Sequence, residues 1–174
     1  MKPFPLLITK RLLLRQLEET DDTAISALRS DERVNKYLDR PKQTGIEEAK
    51  AFIKKINDGI AQGKSFYWAI CLHDHPALIG AICLWNFSDD RTVAELGYEL
   101  HTDFQGQGLM DEAVKKVVQY SFDTVKIKML ETCTHKDNEG STQLLLKNNF
   151  KLDSGKKNKD NADNLIYRLE SFGD

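Results

Sequence analysis

Two stretches of this chain place residue types at spacings that suit chemistry. In the first, Gln105-Gly106-Gln107-Gly108 stands directly before apolar residues at Leu109, Met110, Ala113, Val114, Val117 and Val118. Those positions recur at helical period, so the glycines fall at a helix N-terminus. Without side chains at 106 and 108, backbone N–H groups can close around a ligand, and the helix end adds partial positive charge. Such a cradle suits an anion, although the same pattern also makes a plain tight turn. It is not a Walker loop, because no Gly-Lys-Ser/Thr follows, and the preceding antiparallel meander does not suit a dinucleotide fold. The second stretch is the apolar run Thr92 to His101, interrupted by Glu95 and Glu99. Burial would raise the Glu95 pKa toward the range useful to a general base, acting directly or through a water. Alternatively Glu95 pairs with a basic residue such as Arg11 or Arg15, or stands exposed. Glu99 is a second candidate if the strand alternates regularly, and Gly97 is where a bulge would shift that alternation.

The other reactive side chains form no pattern. His73, His75, His101 and His135 lack metal-ligand spacing, so no metal is expected. Cys71, Cys83 and Cys133 are odd in number and outside any Cys-x-x-Cys, which fits reduced thiols in a cytoplasm. With 25 Lys+Arg against 27 Asp+Glu, the net charge of −2 gives no basic field, and DNA is not an expected partner. The run Leu6-Leu7-Ile8 is too short for a signal-peptide core, and nothing approaches the roughly 20 apolar residues of a membrane helix. Neither a membrane partner nor export is expected, and the expected location is the cytoplasm. A length of 174 residues, 40% of them hydrophobic, suits one domain over residues 1–174.

The elements that must position these residues follow from period and punctuation. Leu12 to Leu14 reads as a strand, Glu18 to Asp22 caps a helix carrying Ala24, Ile25 and Leu28, and a short turn passes through Val34 and Tyr37. Glu47 to Ala61 has helical period. Phe66 to Leu72 and Leu78 to Phe87 form a hairpin around a five-residue loop, His73 to Ala77, and Thr92 to His101 extends the meander. The aromatics Phe66, Tyr67, Trp68 and Trp85 read as core rather than as an aromatic acceptor cage, with the outward-facing member of each pair left open. The helix from Leu109 leads to a strand at Met129 to Thr134, a helix at Glu139 to Lys147, and a closing pair at Phe150 to Ser154 and Leu165 to Leu169. The order predicts an α+β fold with a mixed central β-sheet flanked by α-helices.

Three blocks carry a family resemblance. Gln105 to Met110 resembles the pyrophosphate loop of the GNAT superfamily of N-acetyltransferases, Gln/Arg-x-x-Gly-x-Gly/Ala, with Met110 where a small residue is usual. Asn138, Ser141, Lys147, Asn149 and Phe150 resemble that superfamily's Asn-x-x-Ala/Ser helix ending in Gly-Phe, with Asn149 in the glycine's place. Thr9 to Arg15 resembles the opening strand of the RimJ/RimL type, the ribosomal-protein N-terminal acetyltransferases and their relatives. The resemblance implies acetyl-CoA as acetyl donor and a sheet splayed between the fourth and fifth predicted strands, with coenzyme A in the split. It further implies that backbone groups near Leu100 and Thr102 pair with the pantetheine arm, that Gln105, Gly106, Gln107, Gly108, Leu109 and Met110 bind the pyrophosphate, and that Asn138 hydrogen-bonds the pantetheine.

The chemistry implied is attack of a free amine on a thioester. An α-amino group, with a pKa near 8, is partly free at neutral pH, whereas a lysine is mostly protonated. The departing thiolate needs a proton. Many members use a tyrosine seven residues after the asparagine, here Leu145, so Ser141 is the implied acid; its alternative role is a helix N-terminal cap. Glu95 is the candidate base, and a backbone N–H of strand 96–100 the candidate oxyanion donor. The expected partners are acetyl-CoA and an amine acceptor, either a protein N-terminal amine or a small amine such as a polyamine, aminoglycoside or amino-acid derivative, with a homodimer as one arrangement. A noncatalytic acyl-CoA-binding module is the alternative from another class.

Overall fold

The second, third and fourth predicted strands each alternate between two apolar faces, and helices cover both. The computed structural model describes residues 3–43 and 45–172. In chain order the elements are β1 (Leu7–Ile8), β2 (Leu12–Gln16), α1 (Asp22–Ser30), α2 (Glu32–Asn35), α3 (Ile46–Ala61), β3 (Phe66–Leu72), β4 (His75–Trp85), β5 (Val93–Leu100), α4 (Leu109–Tyr120), β6 (Met129–His135), α5 (Glu139–Lys147), β7 (Lys151–Leu152) and β8 (Asn164–Glu170). They build one eight-stranded sheet, ordered β1-β2-β3-β4-β5-β6-β8-β7. Its β5–β6 pair is parallel and the other pairs are antiparallel. This is the expected α+β mixed sheet.

Alternation along the strands divides the core in two. Leu12, Leu14, Trp68, Ile70, Ile82 and Leu96 pack with Val114 and Val117 of α4 and Leu145 of α5. Tyr67, Ala69 and Ala81 face the other way, against Ile25 and Leu28 of α1 and Ala49 and Ile53 of α3. Burial of large aliphatic side chains contributes about 1.5–3 kcal/mol each, so these two layers hold the sheet rigid between its helices.

The hairpin differs from the sequence reading. Leu72 pairs with His75, so the β3–β4 turn has two residues, His73 and Asp74, and a register shift between Ile70 and Leu72 absorbs the rest. His75, Pro76 and Ala77 are exposed, which is why the apolar signal of this strand begins only at Leu78. Gly97 marks no bulge either. β5 pairs with β4 one for one from Gly80–Leu100 to Trp85–Glu95. A Cβ on Gly97 would lie 3.0 Å from the Cys83 sulfur, so the glycine makes room for a cross-strand neighbour.

The feature that positions a site is the short β5–β6 pairing. Only Val93, Ala94 and Glu95 pair with Met129, Leu130 and Glu131. Beyond Glu95 the strands diverge, while β6 continues along β8 as far as His135 opposite Asn164. The edge of β5 from Leu96 to Leu100 is thereby left without a strand partner on the β6 side. Because Leu7–Ile8 adds a strand before Leu12, the split implied between the fourth and fifth predicted strands lies between β5 and β6.

Candidate active site

One wall of the split is the loop before α4. Gly106 (φ +73°) and Gly108 (φ +76°) are left-handed, a conformation that costs a residue with a Cβ about 1–2 kcal/mol. Gly108 is the N-cap of α4 and supplies no side-chain cap, so the first-turn N–H groups are left for a ligand or solvent. The loop is fixed from the turn between β1 and β2. Arg11 Nη1 donates to the Gln107 carbonyl at 2.9 Å, Arg11 Nε to Glu112 Oε2 at 2.8 Å, and Thr9 hydroxyl to Glu112 Oε1. Burial opposes the Glu112 charge, but the bonds from Thr9 and Arg11 outweigh it and hold the carboxyl below its usual range. Arg11 therefore pairs with Glu112, and Arg15 forms a two-bond pair with Asp21, so neither reaches Glu95. Met110, the departure from the usual small residue, is buried in the α4-side core.

The opposite wall is the N-terminus of α5. Asn138 Oδ1 caps this helix by accepting from Ser141 N–H at 3.2 Å. Asn138 thus takes the capping role and leaves the Ser141 hydroxyl free of it. That hydroxyl lies 2.6 Å from the Tyr98 hydroxyl, a hydrogen bond joining β5 to α5 across the split. Burial pushes the Tyr98 phenol up to about 12, with the Ser141 bond acting in the other direction, so Tyr98 stays protonated at neutral pH. Leu145, where many relatives of this motif carry tyrosine, is fully buried. The Tyr98 phenol reaches Ser141 from β5, and no local spacing in the sequence points to it.

Between the walls lies a cavity of about 500 Å³, lined by Leu100, Gln105, Gly106, Gly108, Leu109, Met110, Asn138 and Ser141 among others. Eight of the residues singled out from sequence are thus brought together. Gln107 and Thr102 are not part of this lining: Gln107 is exposed and gives its carbonyl to Arg11, and Thr102 has a buried hydroxyl with no hydrogen-bond partner among the described residues. Gln105 Nε2 donates to the Leu100 carbonyl at 2.9 Å, tying the loop to the end of β5.

A second cavity, of about 1000 Å³, lies on the α1–α3 side and includes Phe52, Tyr67, Trp85, Phe87, Arg29 and Arg40 in its lining. Tyr67, buried in the core layer, also lines this chamber, and Trp85, 47% exposed, is an outward-facing member of the aromatic group. Leu38, Tyr98 and Glu99 line both cavities, which adjoin there. Glu99 is bracketed by Arg40 and Arg29. Glu95 lies outside the lining of both cavities and accepts from Asn86 Nδ2 at 3.3 Å; burial raises its pKa, with Glu131 adding to the rise and Asn86 opposing it. Among the described residues no group of three or more His, Cys, Asp or Glu side chains could hold a metal ion, and no helix is long and apolar enough to cross a membrane.

Asp111 links the two walls. It accepts from Lys115 at 2.8 Å, Lys147 at 2.9 Å and Asn148 Nδ2 at 2.8 Å, joining the start of α4 to the end of α5. Burial opposes its charge, but these donors prevail and hold the pKa at about 2. A carboxyl with a lowered folded pKa stabilises the fold above its unfolded value near 4 and loses that contribution as pH falls toward 2. Asp111→Asn is expected to cost about 1 kcal/mol at neutral pH and to flatten the stability profile between pH about 4 and 2. Thermal melts of both forms check this; identical acid slopes would contradict it.

A sheet split beside an uncapped, glycine-led helix is the arrangement of a GNAT acetyltransferase, and the acetyltransferase (GNAT) domain family matches residues 11–151. The chain belongs to this family. It is 33% identical over 147 residues to the uncharacterized N-acetyltransferase YoaA of Bacillus subtilis, covering 84% of this chain and 83% of that one. It is 31% identical over 140 residues to the uncharacterized N-acetyltransferase p20 of Bacillus licheniformis, covering 80% and 78%. In fold it is similar to the RimL ribosomal L7/L12 α-N-protein acetyltransferase in complex with coenzyme A, with TM-score 0.83, 19% identity, and coverage of 95% of this chain and 98% of that one. It is likewise similar to the microcin C7 self-immunity acetyltransferase MccE in complex with acetyl-CoA and AMP, with TM-score 0.81, 19% identity and 94% of each chain covered.

Proposed function

We propose that this chain moves the acetyl group of acetyl-CoA directly to a primary α-amino group, with both substrates bound at once. The observation that carries the reading is that two cavities share Tyr98 and Glu99 as lining, one beside the α4 N-terminus and the other an apolar chamber on the α1–α3 side. The residues fit the donor. Gly106 and Gly108 leave backbone N–H groups open to a pyrophosphate, and a Cβ on Gly106 would project into open space. The unpaired edge of β5 near Leu100 and Thr102 suits the amides of a pantetheine arm. Asn138 spends its oxygen on the helix cap, which leaves its Nδ2 to donate to the same arm.

The amine lone pair attacks the thioester carbon, a C–N bond forms, and the C–S bond breaks. A backbone N–H of the free β5 edge holds the oxyanion, which adds most in a water-excluded site. Ser141 gives the leaving sulfur its proton and regains one from solvent through Tyr98, while the proton released by the amine passes to water, since Glu95, the base expected from sequence, lies outside both cavities. Holding amine and thioester together is the main rate term, since alignment removes up to several kcal/mol of entropic cost.

For the acceptor, the sequence favours a protein N-terminal amine. A small amino-acid-like amine is the second reading, and unpartnered donors on Arg29 and Arg40 favour it. The three free cysteines fit a reducing cytoplasm. The test mixes protein, acetyl-CoA and a panel of amines while following free thiol. Thiol release that depends on an amine is expected. Tight acetyl-CoA binding without it would instead establish the noncatalytic acyl-CoA-binding module.

A further inference from the structure

We infer that the acceptor is a free α-amino acid with a large apolar side chain, read by Arg29, Arg40 and Glu99; this rests on the transferase reading above. The three charged groups meet where the chamber adjoins the cleft. The Glu99 side chain is 10% exposed, with Arg40 Nη1 2.6 Å from its Oε2 and Arg29 Nη1 3.9 Å from its Oε1. The Arg40 contact is too oblique for a hydrogen bond, so Glu99 Oε2 is a buried acceptor without an aligned donor. Arg29 Nε and Arg40 Nη2 are buried donors without partners among the described residues. Each such group in a native site calls for a partner. Two donors beside one acceptor match a carboxylate beside an amine: the amine N–H meets Glu99, and the carboxylate oxygens meet the guanidiniums.

Charge separates a carboxylate from an amide. Two guanidiniums and one carboxylate leave one positive charge in a nearly buried cluster, and buried charge is costly unless paired. A peptide carbonyl leaves it uncancelled, whereas a free carboxylate cancels it. Asp39 does not fill that role, since its Oδ2 accepts from Asn161 and Asn164. Lys55, Lys64, Asp89 and Arg91 are exposed at the rim, where solvent screens them. The apolar walls fix the remainder of the molecule. Phe52, with the Arg29 guanidinium carbon 3.9 Å above its ring, begins an aromatic surface continued by Tyr67, Trp85 and Phe87 that suits a large apolar side chain.

The experiment compares thiol release with L-phenylalanine, L-serine, phenylalaninamide, a phenylalanine-initiated peptide and spermidine, using wild type, Arg40→Gln and Arg40→Lys. The expected kcat/KM for phenylalanine exceeds that for its amide and the peptide by about tenfold or more, as loss of a charge-assisted bond implies. Serine and spermidine are expected to be poorer still. Arg40→Gln should raise the phenylalanine KM about tenfold and bring the acid-to-amide ratio near one, while Arg40→Lys keeps part of the preference. Unchanged acetyl-CoA affinity by calorimetry shows that the variants are folded. Equal use of amide or peptide, a preference for serine or spermidine, or an unaltered ratio in Arg40→Gln would overturn the assignment. Turnover of other amines alone would remove this acceptor and leave the transferase; thiol release with no amine at all would remove both.

Discussion

The double substitution Gly106→Val, Gly108→Val is expected to weaken acetyl-CoA binding by at least about a hundredfold, measured by calorimetry. Both glycines have φ above +70°, and a β-branched residue held there costs of order 1–3 kcal/mol. The loop would relax to negative φ and turn its N–H groups away from the pyrophosphate. At 108 there is a second effect: a Cβ would lie 3.4 Å from Arg11 Nη2, and crowding that guanidinium disturbs its bonds to Gln107 and Glu112. The glycines lie outside both core clusters, so circular dichroism should show an intact fold. Unchanged affinity would mean that the donor's anion is held elsewhere.

Ser141→Ala should lower kcat by about a hundredfold while acetyl-CoA affinity changes less than about twofold, because general acid catalysis is typically worth 10²–10⁴ in rate. Tyr98→Phe should do nearly the same, since it keeps the ring and removes only the hydroxyl that lies 2.6 Å from Ser141. If the two hydroxyls act as one relay, the double variant will be little slower than either single one. Single-turnover rates measured beside calorimetric affinities separate chemistry from binding. An unaltered kcat in Ser141→Ala rejects it as the acid, and strictly additive losses reject the relay.

What the sequence revealed and what it hid divide along the range of the interactions. Gly106, Gly108, Asn138 and Asn149 declare themselves because a left-handed turn or a helix end is decided within a few residues; Asn149 does take the positive φ that its place after α5 requires. The sheet's class was legible because period and the order of elements restrict how strands can pair. Contacts between distant segments left no local trace. Arg11 meets Glu112 across about a hundred positions, and Tyr98 meets Ser141 across forty-three. Arg29, Arg40 and Glu99 come together only once α1 and the segment after α2 lie over β5. The true extent of the hairpin is hidden for a different reason: His75 to Ala77 extend a strand while exposed, so hydrophobicity gives no sign of them. Glu95 and Glu99 show the same limit, since alternation put them on one face but could not tell which of them meets the cleft.

In the proposed reaction amine and thioester occupy the two cavities that share Tyr98 and Glu99 and react without a covalent enzyme intermediate. An initial-rate matrix, varying acetyl-CoA at several fixed concentrations of an accepted amine, tests it most directly. Double-reciprocal lines that intersect, the mark of a ternary complex, are the predicted result; parallel lines, which require the acetyl group to reside on the protein before the amine binds, would contradict it.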